Sequence, residues 1–88
     1  MVKELTLLSV EHANKDRSRI VLFNDDVNSF DWVIKSLVDV CDHSSTQAEQ
    51  CAWIVHFNGK YAVQSGDMDE MRTRCGALNE RGLTAEIV

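Results

Sequence analysis

The chain has 88 residues, enough for one compact domain and a short extension but not for two domains. It carries 14 acidic against 9 basic residues, a formal net charge of −5, and no Lys/Arg-rich stripe, so it lacks the electrostatic footprint of a nucleic-acid binder. No run reaches the roughly 18 apolar residues of a membrane span, and the three cysteines form no Cys-x-x-Cys pair, which speaks against a disulfide framework or a zinc knuckle.

Residues Met1 to Ser18 mix a short apolar patch with a polar run and keep no regular period, so they read as a flexible N-terminal extension, without the basic-then-apolar order of a signal peptide. Arg19-Ile20-Val21-Leu22-Phe23 is a β-branched and aromatic run, stopped by the turn formers Asn24-Asp25-Asp26. Asn28 is placed as the cap of a first helix, with Val27 and Trp32 spaced as a hydrophobic staple, and Phe30, Val33, Ile34, Leu37 and Cys41 form its apolar stripe. Ser44 with Gln47 opens a second helix, whose stripe is Ala48, Cys51, Ala52 and Val55, and Gly59 suits its left-handed end.

Lys60 to Gln64 reads as a second strand and Ser65-Gly66-Asp67 as the turn into a third helix, capped by Asp67 with Glu70. Met68, Met71, Cys75 and Leu78 give that helix its apolar face, Gly82 ends it, and Leu83, Ala85 and Ile87 alternate in a last strand. The order β-α-α-β-α-β predicts an α+β sandwich, a small three-stranded antiparallel sheet covered by three helices, over residues 19–88. A chain this short buries only about 60–65% of its unfolded surface, so any pocket shares residues with the core.

Two spots are polar where the pattern favours blander residues. The loop Asn24-Asp25-Asp26 can be an Asx turn that satisfies its own backbone, or it can offer its acceptors to a ligand. His56, after the apolar Trp53-Ile54-Val55, can be a helix-terminal histidine favoured by the macrodipole or a ligand contact. A Cys51–His56 catalytic pair is disfavoured because side chains five positions apart point to different helix faces. Cys41, His43, Cys51 and His56 match no standard metal-site spacing, so no metal or cofactor is expected.

Val21-Leu22-Phe23-Asn24-Asp25-Asp26 resembles the strand-then-Asn-Asp-Asp signature of the ClpS family of protease adaptors. Val55-His56, followed by Phe57 and by Gly59-Lys60, stands about thirty residues further on, at the distance that family keeps. The resemblance covers about Arg19 to Val88. It implies a non-catalytic, cytoplasmic, monomeric adaptor that recognises N-degrons, chains whose first residue is Leu, Phe, Tyr or Trp, and delivers them to a Clp AAA+ unfoldase. On that resemblance Asn24, Asp25 and His56 bind the α-amino group, and Asn28, Phe30, Val33, Ala52, Val55 and Leu83 form the side-chain pocket.

A free α-amino group has a pKa of about 7.7–8.0 and presents three donors, so converging acceptors are what its receptor needs. Where many members read Thr-Pro-Met this chain has Asn28-Ser29-Phe30, and Ala52 replaces a second pocket methionine, which reshapes the cavity. Asp69 and Arg74 fall where the family docks on the N-terminal domain of a ClpA- or ClpC-like unfoldase. The other reading that keeps this fold is a protein-interaction module like the ribosomal stalk protein's C-terminal domain, which lacks the Asn-Asp-Asp and Val-His pair.

Overall fold

The computed structural model of the chain describes residues 17–88. Its elements are β1 (Arg17–Phe23), α1 (Phe30–Cys41), α2 (Ser45–Asn58), β2 (Lys60–Asp67), α3 (Met68–Glu80) and β3 (Thr84–Ile87). The three strands form one antiparallel sheet in the order β2-β1-β3, which is the expected α+β class and element order. The extension expected over residues 1–18 lies outside the described residues as far as residue 16, whereas Arg17 and Ser18 belong to β1.

β1 alternates as its sequence requires: Ser18, Ile20 and Leu22 are buried and Arg17 and Arg19 are exposed. Ile20 and Leu22 meet Leu37 and Cys41 of α1, Ala48, Cys51 and Val55 of α2, and Met71, Cys75 and Leu78 of α3 in one core. All three cysteines are buried and free.

Two expected boundaries move together. Ser65-Gly66-Asp67, read as a turn, continues β2 because Arg19, Ser18 and Arg17 pair with it in turn. Between Ile20 and Val21 the register jumps from Gln64 to Ala62, leaving Val63 as the extra residue of a β-bulge. The bulge lets two neighbours reach the helix side: Val63 enters the core and Gln64 donates to the Cys41 carbonyl at the end of α1 (2.9 Å).

The caps follow local chemistry with one exception. Ser44 and Asp67 accept from the Gln47 and Glu70 N–H groups at the starts of α2 and α3, and Gly59 (φ 87°) and Gly82 (φ 90°) provide the left-handed positions after α2 and α3. At α1 the cap is Ser29, whose hydroxyl accepts from Trp32 N–H, and not Asn28. The staple does not form either: Val27 is 90% exposed, and Trp32 packs under the Arg81 guanidinium while its ring N–H donates to the Arg81 carbonyl (2.9 Å).

Candidate functional site

Phe23 is the last residue of β1, paired with Lys60 at the start of β2. One bond beyond that pair, Asn24 N–H donates to the Gly59 carbonyl (2.8 Å) and fastens the loop to the end of α2. His56 occupies the last turn of the same helix, so this bond sets the Asn-Asp-Asp loop beside the histidine.

Inside the loop, Asp25 Oδ1 accepts from the backbone N–H groups of Val27 (2.9 Å) and Asn28 (2.8 Å), and Oδ2 accepts from Asn28 Nδ2 (2.9 Å). Burial works to raise the Asp25 pKa, but the three hydrogen bonds outweigh it and hold the carboxyl below its ordinary range. The self-satisfying turn is therefore real, yet two carboxylate oxygens offer about four lone-pair directions and the loop occupies three. Asn28 Nδ2 also donates to the Gly82 carbonyl (2.8 Å), joining the loop to the turn after α3. Both partners are acceptors, which fixes the orientation of the amide and leaves Asn28 Oδ1 as its remaining polar atom.

Between these elements lies a cavity of about 210 Å3. Every residue expected at the amine site or in the pocket lines it: Asn24, Asp25 and His56, and with them Asn28, Phe30, Val33, Ala52, Val55 and Leu83. Asn24 and His56 are exposed whereas Ala52, Val55 and Leu83 are buried, so the polar groups stand at the open end over an apolar floor. Leu22 and Phe23 also line the cavity and were not expected there; the inward alternation of β1 was an available signal for Leu22, whereas Phe23 has the opposite parity and reaches the cavity at the strand's last position, where the loop begins. At roughly 210 Å3 the cavity is smaller than the roughly 300–1,000 Å3 of drug-sized pockets, a volume suited to one side chain.

Aromatic rings continue from the cavity wall outward. Phe30 meets Trp53 with ring centroids 4.6 Å apart, and Trp53 stacks on Phe57 at 5.3 Å. The His56 ring stands edge-on to Phe57 at 5.2 Å.

The two residues expected at the docking surface part company. Asp69 is exposed near the start of α3. Arg74 is turned inward, its side chain only 20% exposed, bonding the Cys41 carbonyl (3.2 Å), Gln64 Oε1 (3.0 Å), Asp42 (3.3 Å) and Glu70 (2.7 Å). It ties α3 to β2 and to the end of α1. Cys51 sits in the core with its thiol pKa raised by burial, and Cys41 is pushed up to about 11 by the same cause, so neither is a ready thiolate. No helix among the described residues is long and apolar enough to cross a membrane.

A three-stranded antiparallel sheet under three helices, with a narrow cavity held between a strand-exit loop and a helix end, defines a small α+β domain with a side-chain-sized cavity. The family described as ATP-dependent Clp protease adaptor protein ClpS matches residues 13–86, and the chain belongs to it. The ClpS adapter of Treponema denticola is 29% identical over 70 residues, 80% of this chain and 69% of that protein. Agrobacterium tumefaciens ClpS2, solved bound to L-phenylalaninamide, has 22% identity and a TM-score of 0.75, covering 83% of this chain and 95% of that one. At that identity the likeness is one of fold. The family is one of adaptors to the Clp protease rather than of proteases.

Proposed function

We propose that this chain binds proteins by their free N-terminus when the first residue is Leu, Phe, Tyr or Trp, and delivers them to a Clp AAA+ unfoldase. The observation that carries the reading is the meeting of Asn24, Asp25 and His56 at the open end of the apolar cavity. An ammonium there has an amide oxygen, an ionised carboxylate and a ring nitrogen to donate to, while the attached side chain fills the space between Phe30, Val33, Ala52, Val55 and Leu83. The bound state of the Agrobacterium relative, with a phenylalanine derivative, supports the same reading.

Hydrogen bonds to a charged group contribute about 1.5–3 kcal/mol each, and burying a large apolar side chain adds about 1.5–3 kcal/mol. After ordering costs, micromolar affinity near −8 kcal/mol is in range. An acetylated terminus removes the charge and two donors and leaves the acceptors facing an amide. Labelled peptides beginning with Phe, Leu, Tyr or Trp are expected to bind with micromolar affinity and their N-acetylated forms are not; equal binding of the two sets would refute the amine-receptor role.

We assign docking on the N-terminal domain of a ClpA- or ClpC-like unfoldase to the surface around Asp69, with Arg74 holding its shape from inside. The reading is of a monomer acting in the cytoplasm, and three buried, unpaired thiols suit that reducing compartment.

A further inference from the structure

The aromatic ledge outside the cavity has no task in holding a first residue. Trp53 and Phe57 are one turn apart on α2, with ring planes only 12° from parallel, and are 44% and 73% exposed. Neighbouring large rings kept at a surface mark a contact site when they adjoin a pocket. These do: Trp53 rests on Phe30, which lines the cavity, and the His56 ring, also lining it, stands edge-on to both Phe57 and Trp53 (6.1 Å).

The loop beside the cavity is acidic, carrying the Asp25 carboxylate, which lines it, and the exposed Asp26. The cavity is thus flanked by charge on the loop and, beyond Phe30 and His56, by flat aromatic rings on α2.

A residue bound by its α-amino group and its side chain has one bond left at Cα through which the chain continues, and that bond must lead out over the rim. The next Cα is about 3.8 Å away, so the second side chain comes down beside the mouth. We propose that Trp53 and Phe57 form a subsite for this second residue, one that takes a large apolar or aromatic side chain. The proposal rests on the N-degron reading above and names a further preference of the same site. The occupant follows from continuity: the ledge starts on a cavity wall and shares His56 with it, so a chain leaving the cavity passes it. Pairing of a side chain with stacked aromatic rings corresponds to about three- to tenfold in affinity.

The test uses the full chain, L-phenylalaninamide, and three peptides identical except for their beginnings, Phe-Gly, Phe-Leu and Phe-Trp. The amide and Phe-Gly report on the first-residue site alone. Phe-Leu and Phe-Trp are expected to bind about three- to tenfold more tightly than Phe-Gly, and in Phe57→Ser that ratio is expected to fall to about one. Thermal melting is expected to show the variant folded, since Phe57 lies at the surface. Equal affinity of the three peptides for the native chain, or a ratio that survives Phe57→Ser, overturns the subsite while leaving the N-degron reading intact. If neither the amide nor Phe-Gly binds, the parent reading fails and takes the subsite with it. Self-association of the native chain in sedimentation, abolished by Phe57→Ser, would give the ledge to a second copy and also overturn the proposal.

Discussion

Asn24 donates its backbone N–H to the carbonyl of Gly59 at 2.8 Å, and through that bond the β1–β2 ladder reaches one step past its last pair to set a strand-exit loop against a helix end. The placing of the loop against the His56 end of α2 is thus held by a backbone bond, while the Asp25 and Asn28 side chains fix the loop's own shape and tie it to Gly82.

Gly59 holds this joint at φ 87°, with no atom near the place a Cβ would take. Gly59→Ala therefore meets strain rather than a clash, and is expected to lose about 1–2 kcal/mol in chemical denaturation. Gly59→Asn is expected to lose less, because asparagine tolerates the left-handed region.

Asn24→Ala and His56→Ala remove acceptors that take no hydrogen bond from another of the described residues. Each is expected to weaken binding of a Phe-initiated peptide about 10- to 100-fold in anisotropy titrations. Thermal midpoints are expected to stay near that of the native chain, as is usual for exposed positions.

Asn28 holds two walls at once, so Asn28→Ala is expected to cost about 1–3 kcal/mol of stability by leaving the Gly82 carbonyl and one Asp25 oxygen short of a donor. Asn28→Asp is expected to be worse at neutral pH, since it sets a second carboxylate against Asp25 and an acceptor against an acceptor. Partial recovery of its urea midpoint on mild acidification is the diagnostic result.

His43 is 5% exposed, and burial, helped by the Arg74 charge, lowers its pKa below 6.5 against a raising backbone hydrogen bond with Val63. Between that lowered value and 6.5 the unfolded chain binds more protons, so stability is expected to fall as pH drops below 6.5 and to flatten once the folded histidine protonates. Asp25 acts lower down: its folded pKa lies below 3.8, so its contribution is complete above 3.8 and is lost as pH falls through the folded value. Denaturant midpoints against pH check both, and His43→Gln is expected to flatten the upper limb alone.

Arg74 and Asp69 give opposite outcomes. Arg74→Ala is expected to lower stability by about 1–3 kcal/mol, because it unties three elements around the end of α1. Asp69→Ala is expected to leave the melting temperature unchanged while weakening capture by an unfoldase N-terminal domain, which makes it the cleaner probe of docking.

What the sequence disclosed was local. The Ser44 and Asp67 caps, the left-handed Gly59 and the core stripe of α2 follow from residues within a turn of one another, and each forms as read, whereas of the stripe read for α1 only Leu37 and Cys41 are fully buried, with Ser36 beside them. The cavity lining was legible through resemblance, which placed Asn24 and His56 together where spacing alone could not. Features set by distant partners were not legible. Asn28 looks like a helix cap, but Gly82 draws its amide away and Ser29 takes the post. Arg17 and Ser18 look like tail until Asp67 and Gly66 pair with them, and Arg74 looks like a surface charge until Cys41, Asp42 and Gln64 close around it.

The irregularity at Val63 has a consequence for the outer border of the sheet. β2 is an outermost strand of its sheet, and a straight border of eight residues without proline is a template onto which any extended polypeptide could zip. The extra residue coils that border and breaks its even row of donors and acceptors, so an extended polypeptide finds no straight template along this flank.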